Sequence, residues 1–123
     1  MSDLAARVEA MEATLGRGDW NGAREYLADD VRYAVGGRDP VIGIDGIRTY
    51  LEAQARIVRW TGHEVALVTE AEAGRTVIFE VTSLFERVAD GAALRLPCTD
   101  IYRFGGGRIR DWRVYADLAA IGL

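Results

Sequence analysis

Residues 100–113 read DIYRFGGGRIRDWR, two runs of strand-like alternation on either side of three consecutive glycines. Alternation with a period of two indicates half-buried strands, and the glycines supply the turn between them. A three-residue loop with one left-handed residue and a bulge would place Phe104 opposite Arg108 and Asp100 opposite Trp112. The stretch therefore predicts an antiparallel hairpin and fixes which of its residues share a face.

A second turn lies upstream, at Asp90-Gly91. This pair is expected in a two-residue type I′ hairpin, which would place Ala89 opposite Ala92 and Asp100 opposite Val81. Both registers put Asp100 on a largely apolar face, whose other members are Val77, Phe79, Val81, Ser83, Phe85, Leu94, Leu96, Cys98, Tyr102, Phe104, Trp112 and Val114. Since the opposite face is rich in charged residues, we infer that Asp100 is a carboxylate set in the inner, apolar wall of a sheet.

The rest of the chain predicts helices before this meander of strands. The predicted elements are a first helix capped by Ser2 or Asp3 with its apolar stripe at Leu4, Val8, Met11 and Leu15, a short helix after Asp19, a strand at 31–35, a helix at 46–59, strands at 63–70, 76–88, 92–104 and 108–115, and a short cover at 118–121. This order indicates an α+β fold, with a curved, mostly antiparallel sheet wrapped around N-terminal helices. A length of 123 residues predicts one domain, spanning 1–123.

The composition excludes several classes of function. All 15 basic residues are arginine, so lysine Schiff-base chemistry is excluded. One histidine and one cysteine are too few for a typical zinc site, and we expect neither a metal nor a cofactor. A net charge of −4 with dispersed arginines argues against a nucleic-acid or membrane partner. We expect no secretory signal and a cytoplasmic location, because a single cysteine fits a reducing compartment.

Two titratable residues are candidates for acid/base chemistry. Burial raises the pKa of an aspartate, so Asp100 could act as a neutral hydrogen-bond donor or as a general base. The alternative is a structural aspartate satisfied by a backbone amide or by Tyr33, Tyr102 or Trp112. His63 lies at the start of a predicted strand, on the same face as the inward residues Val65 and Leu67. It could be a second acid/base group, or else a half-exposed histidine at the end of the strand.

Other inward residues allow two readings as well. Cys98 and Ser83 are packing residues of the wall, with nothing in the sequence that would activate them. Trp112, Tyr102 and Phe79 are either core residues or a platform for a ligand. In a concave sheet the same side chains can do both.

Five segments together resemble a known family: GDW at 18–20, LADDV at 27–31, GIDGIR at 43–48, DIYRFGGGRI at 100–109 and WR at 112–113. Their order and spacing resemble the SnoaL-like branch of the nuclear transport factor 2-like superfamily, which includes ketosteroid isomerases, limonene epoxide hydrolases and polyketide cyclases. The resemblance covers nearly the whole chain. It implies a cone-shaped α+β barrel with an apolar pocket between helices and sheet, and a homodimer.

The resemblance carries over only part of each catalytic set. Asp100 matches the isomerase aspartate that donates to the substrate oxyanion, which is an established example of a neutral carboxylic acid. Met11 and Val35 stand where the isomerases have a tyrosine donor and an aspartate base. Tyr33 matches the water-positioning tyrosine of the epoxide hydrolases, whose Asp-Arg-Asp triad is absent here.

We therefore predict a pocket for a small hydrophobic molecule. Its catalytic residues would be Asp100, Tyr33 and His63, and its substrate-binding residues would be Trp112, Tyr102, Phe79, Val81, Val35, Cys98, Val114 and Met11. The favoured function is a cofactor-free lyase, isomerase or cyclase acting on a carbonyl compound. The alternative is a non-catalytic hydrophobic-ligand binding protein, or a dimeric scaffold with a vestigial pocket.

Overall fold

The computed structural model describes residues 2–123. Its elements are helix α1 (Asp3–Gly16), a 3-10 helix (Gly22–Glu25), strands β1 (Leu27–Val35) and β2 (Val41–Ile42), helix α2 (Gly43–Gln54), strands β3 (Val58–Ala71), β4 (Thr76–Arg87), β5 (Ala93–Gly105) and β6 (Arg108–Ala116), and a second 3-10 helix (Leu118–Ile121). The predicted α+β class is confirmed.

The six strands form one curved, unclosed sheet in the order β2-β1-β6-β5-β4-β3. Every neighbouring pair is antiparallel except β1 and β6, which run parallel. Strand β1 is thereby joined to the far end of the chain, so Tyr33 pairs with Trp112. This crossover brings β1 beside β6, which is the neighbour of β5, the strand that carries Asp100.

The predicted register between β4 and β5 is wrong by two residues. Asp100 pairs with Phe79, and Val81 pairs with Cys98. The turn is longer than the expected type I′ turn, because Arg87 donates its backbone N–H to the carbonyl of Ala92 across a four-residue connection. Since side chains alternate with a period of two, a shift of two leaves every residue on its predicted face.

The predicted register between β5 and β6 is also wrong by two residues at Asp100. Gly105 pairs with Arg108, so the turn is a two-residue Gly106-Gly107 turn and not a three-residue loop. Both turn glycines have positive φ, +62° and +79°, as a type I′ turn requires. A bulge after Arg103 then shifts the ladder, so that Asp100 pairs with Val114 and not with Trp112.

The helices differ from prediction at their ends. The helix predicted after Asp19 is a single 3-10 turn, and β1 begins at Leu27, four residues before the strand predicted at 31–35. Helix α2 ends at Gln54 and not at 59 as predicted, and Ile57, which was expected within the helix, lies exposed in the turn before β3. Ser2 caps α1 as predicted, with its hydroxyl accepting the N–H of Ala5 at 3.1 Å.

The core lies between the inner face of the sheet and α1. Its fully buried side chains include Tyr102, Phe79, Met11, Leu27, Ile47 and Ile109. Among residues 2–123, no helix is long and apolar enough to cross a membrane. Several of the core residues also line the pocket of the candidate site, so the pocket is continuous with the core.

Candidate functional site

A pocket of about 300 Å³ opens between the concave sheet face, α1 and α2. All strands except the short β2 contribute to its wall, because the sheet curves around it. The lining residues are Glu12, Leu15, Gly16, Trp20, Tyr33, Leu51, Glu52, Ala55, Val58, Arg59, Trp60, His63, Phe79, Val81, Ser83, Cys98, Asp100, Tyr102, Trp112 and Val114. Its wall is mostly apolar and aromatic, with a few polar groups, as is usual for small-molecule sites.

Asp100 is held from one side by two aromatic donors. Its Oδ2 atom accepts the hydroxyl of Tyr102 at 3.0 Å and the indole N–H of Trp112 at 3.3 Å. Tyr102 lies two residues along the same strand, and Trp112 comes from the neighbouring strand, so the register places both beside Asp100. Because both donors converge on Oδ2, the Oδ1 atom is left for a molecule in the pocket.

Burial raises the pKa of Asp100 to about 6. The Tyr102 and Trp112 hydrogen bonds and the nearby His63 oppose that rise, because each favours the charged form. The residue as a whole is half-buried, since one edge faces the pocket. At neutral pH the carboxyl is therefore mostly ionised, which suits a general base better than the neutral donor expected from the isomerase resemblance.

Glu12 is a second pocket carboxyl that the sequence analysis missed. It accepts the hydroxyl of Tyr102 at 2.7 Å. Burial raises its pKa to about 8, with a further rise from the neighbouring Asp100. The signal was present in the sequence, since Glu12 lies four residues after Val8 and three before Leu15, on the edge of the apolar stripe of α1.

His63 lies on the pocket wall and faces a carboxylate of α1. Its Nε2 atom lies 3.0 Å from Oε1 of Glu9. This contact lacks hydrogen-bond geometry, and the buried Glu9 Oε1 has no hydrogen-bond partner among the described residues. The His63 ring also meets Trp60 edge-on, with ring centroids 5.8 Å apart. The pocket thus brings together Asp100 and His63, two of the predicted acid/base residues.

Tyr33, the third predicted catalytic residue, also lines the pocket. Its ring packs against Trp112 with centroids 4.6 Å apart, and against Tyr50 at 5.5 Å. Burial and then the charge of Asp100 raise the pKa of Tyr33 well above its usual range. The phenol therefore keeps its proton and can donate a hydrogen bond.

The structure places most of the predicted substrate-binding residues on the pocket wall: Trp112, Tyr102, Phe79, Val81, Cys98 and Val114. Met11 and Val35 are corrections to that set, because both are buried in the core and do not line the pocket. Burial raises the pKa of the Cys98 thiol, which keeps it protonated and unreactive. Within residues 2–123, no group of three or more His, Cys, Asp or Glu side chains is arranged to hold a metal ion.

This arrangement supports proton transfer in a mostly apolar space. Asp100 offers a carboxylate oxygen toward the pocket, Tyr33 offers a hydroxyl, and His63 offers an imidazole. Arg59 lies on the wall but is exposed and paired with Glu86 at 2.9 Å, so it is held at the mouth of the pocket. A neutral, largely apolar molecule matches this wall better than an anion does.

Comparison with solved structures shows the same fold in proteins of low sequence identity. A proposed polyketide cyclase from Pseudomonas putida is 20% identical, with a TM-score of 0.81, covering 98% of this chain and 96% of that one. A proposed polyketide cyclase from Xanthomonas campestris is 21% identical, with a TM-score of 0.79 and coverages of 94% and 91%. An LEH-like epoxide hydrolase from M. tuberculosis is 22% identical, with a TM-score of 0.75 and coverages of 96% and 85%.

The sequence comparison is more specific than these structural likenesses. No curated protein matches the chain. Residues 8–112, by contrast, match the SnoaL-like domain, a segment that contains both Glu12 and Asp100. Together with the curved six-stranded sheet and its pocket, this match shows that the chain belongs to the SnoaL-like domain family.

Proposed function

We propose that the protein is a cofactor-free lyase, isomerase or cyclase that acts on a small hydrophobic carbonyl compound. The observation that carries the proposal is Asp100, a carboxylate held at Oδ2 by Tyr102 and Trp112 and open to an aromatic pocket at its other oxygen. A buried carboxylate with a pKa near the working pH is suited to general base catalysis. Isomerases and polyketide cyclases among the structural neighbours are consistent with this chemistry.

The first step is removal of a proton from the carbon next to the carbonyl. Asp100 Oδ1 accepts the proton, the C–H electron pair forms a carbon–carbon double bond, and the carbonyl π pair moves to oxygen. Tyr33 donates a hydrogen bond to that oxygen, where negative charge develops. Asp100 then returns the same proton. In an isomerisation the substrate carries a carbon–carbon double bond next to the enolate, so the proton goes to the far carbon of the dienolate and the oxygen pair re-forms the carbonyl. In a cyclisation the enolate carbon attacks a second carbonyl carbon, whose π pair moves to its oxygen, and that alkoxide takes the proton.

The test is proton exchange with small apolar ketones and β-keto esters in D₂O, followed by NMR as loss of the α-proton signal. We expect the wild-type protein to exceed the buffer rate, Asp100→Asn to abolish the excess, and Tyr33→Phe to reduce it roughly 100-fold. Asp117→Asn, which removes an exposed carboxyl that does not line the pocket and makes no side-chain hydrogen bond to the helix it precedes, serves as the control. Binding of these compounds without exchange above buffer would refute catalysis and favour the non-catalytic binding alternative.

The outer face of the sheet supports a homodimer as part of the proposal. Leu67, Glu80, Thr99 and Tyr115 form one cross-strand row over β3, β4, β5 and β6. Leu67 and Tyr115 are 53% and 48% exposed, which leaves apolar area at both ends of the row. Light scattering at about 10 µM protein should give about twice the chain mass of 13.5 kDa, and Leu67→Glu should halve it. A monomer mass for the wild-type protein would refute the dimer.

A further inference from the structure

The Tyr102 hydroxyl lies between two carboxyl groups. It is 2.7 Å from Oε1 of Glu12 and 3.0 Å from Oδ2 of Asp100. A phenol has one hydrogen, so it can donate to only one of these oxygens. If both carboxyls were ionised, one anionic oxygen would face the oxygen of Tyr102 with no hydrogen between them. One of the two carboxyls must therefore carry a proton, so that a hydrogen lies between each carboxyl oxygen and the oxygen of Tyr102.

The other contacts decide which carboxyl carries that proton. Asp100 receives a second donor, the Trp112 indole N–H, whereas Glu12 has no second donor among the described residues. An anion is stabilised where donors converge, so the charge belongs on Asp100 and the hydrogen on Glu12. The carboxyl pKa values agree with this order, about 6 for Asp100 and about 8 for Glu12.

We propose that Glu12, Tyr102 and Asp100 form a hydrogen-bonded chain that holds one proton on its two carboxyls at neutral pH. Glu12 donates to Tyr102, and Tyr102 donates to Asp100. Glu12 is thus a positioning residue, which turns the Tyr102 hydroxyl toward Asp100 and keeps Asp100 in its base form. This inference rests on the proposed function and deepens it, because it assigns how the base is kept ionised in an apolar wall.

The titratable groups around Glu12, Tyr102 and Asp100 are consistent with a protonated Glu12 and an ionised Asp100. Glu9, on α1, adds negative charge near Glu12 and raises its pKa further. His63, on β3, lowers the pKa of Asp100. Tyr33 on β1 and Cys98 on β5 face the same space, and burial raises the pKa of both, so they stay neutral. On α2, Tyr50 packs against Tyr33, and Glu52 is paired with Arg48 at 2.7 Å. Arg59 on β3 is paired with Glu86, and the facing β6 residue, Trp112, does not titrate.

The arrangement sets a pH range for the proposed chemistry. Asp100 must be ionised to accept a proton, and Glu12 must be protonated to hold Tyr102 in its donating orientation. Activity should therefore rise with ionisation of Asp100 and fall with ionisation of Glu12, between pH values of about 6 and about 8. Because the two carboxyls interact, the apparent pKa values of the rising and falling sides of the pH–activity profile describe the pair and not either residue alone.

The experiment is a carboxyl ¹³C NMR titration from pH 4 to pH 10, which needs no substrate. We expect two elevated midpoints in the wild-type protein, the higher one lost in Glu12→Gln and the lower one lost in Asp100→Asn. Glu12→Gln should leave the Asp100 midpoint within a few tenths of a pH unit, because Glu12 is already neutral where Asp100 titrates. Asp100→Asn should lower the Glu12 midpoint by roughly one pH unit, because it removes the adjacent charge.

Glu25→Gln, which removes an exposed carboxyl at the end of the 3-10 turn, should change neither midpoint. The proposal is overturned if both carboxyls titrate below pH 5, or if Glu12→Gln lowers the Asp100 midpoint by a full unit, since either result means that both are ionised together. The wild-type titration decides the first point even if a variant fails to fold. An inactive protein with the expected titration would refute the proposed function and leave the proton chain standing.

Discussion

Replacing Asp100 with asparagine should remove a pH dependence from the stability of the fold. Asparagine keeps the shape of the side chain, and its amide oxygen can still accept from Tyr102 and Trp112, but it does not titrate. In the folded protein, burial raises the pKa of Asp100 from 3.8 to about 6. The folded state therefore binds the proton more tightly than the unfolded chain does.

The sign and size of the effect follow from this difference. The stabilising contribution of Asp100 to the free energy of unfolding is present below pH 3.8, falls as the pH rises, and is lost above about pH 6. A shift of this size corresponds to roughly 3 kcal/mol in the free energy of unfolding. We expect the wild-type stability to fall by about 2 kcal/mol of this, relative to Asp100→Asn, between pH 4 and pH 7, because the unfolded aspartate is already partly ionised at pH 4.

The assay is urea unfolding at pH steps from 4 to 8, monitored by tryptophan fluorescence and far-UV circular dichroism. The difference between wild type and Asp100→Asn is the measured quantity, because carboxyls whose pKa is lowered by ion pairs, such as Glu64 and Glu72, then cancel. Asp117→Asn, which removes an exposed carboxyl outside the pocket, is the matched control for the loss of one negative charge. If Asp100→Asn instead costs several kcal/mol at every pH, Asp100 is a structural hub and the site assignment is wrong.

Three further predictions concern the same wall and its turn. Asp100→Leu should fold and be at least as stable as the wild type at pH 8 in urea unfolding, because an apolar side chain replaces a buried charge, and failure to fold would contradict this. Trp112→Phe should raise the Asp100 pKa further in the NMR titration, since it removes the indole donor, and an unchanged pKa would show that this hydrogen bond is unimportant. Gly107→Ala should lower the free energy of unfolding by about 1 kcal/mol in thermal unfolding, because Gly107 has φ +79°. Gly37→Ala should be neutral, because Gly37 lies in open space without positive φ, and equal effects of the two changes would refute the turn assignment.

The sequence predicts the inner face of the sheet well because facing depends only on parity. Both hairpin registers are wrong by two residues, yet Phe79, Val81 and Asp100 still point inward, since an even shift preserves the face. What the pattern cannot fix is the identity of the cross-strand neighbours. That depends on the length of each turn, and a Gly-Gly-Gly or Asp-Gly run is compatible with more than one turn.

The N-terminal half was harder to predict because its elements are defined by tertiary pairing. Strand β1 includes Asp29 and Asp30, residues that locally favour turns; it pairs with β6, from the other end of the chain, at Leu27 and again from Arg32 onward, and the ladder is irregular at the two aspartates between them. The start of β3 at Val58, where an extension of α2 was expected, has the same origin, since Arg59 pairs with Glu86 across the sheet. Local propensity is overridden where a long-range ladder satisfies the backbone.

The candidate site likewise contains residues that the sequence could predict and one that it could not. Asp100, Tyr33 and His63 could be named from the sequence, because each lies on a strand whose facing was predictable. Glu12 could not be joined to them, since its role depends on how α1 lies across the sheet and on the distance from its carboxyl to Tyr102. That distance is what changes the chemistry: without Glu12, Tyr102 is one of two donors to an aspartate, and with Glu12 it is the middle of a chain that decides which carboxyl is charged. In the proposed chain the proton is held by a helix residue that no strand pattern would bring to notice, and the first variant to make alongside Asp100→Asn is Glu12→Gln.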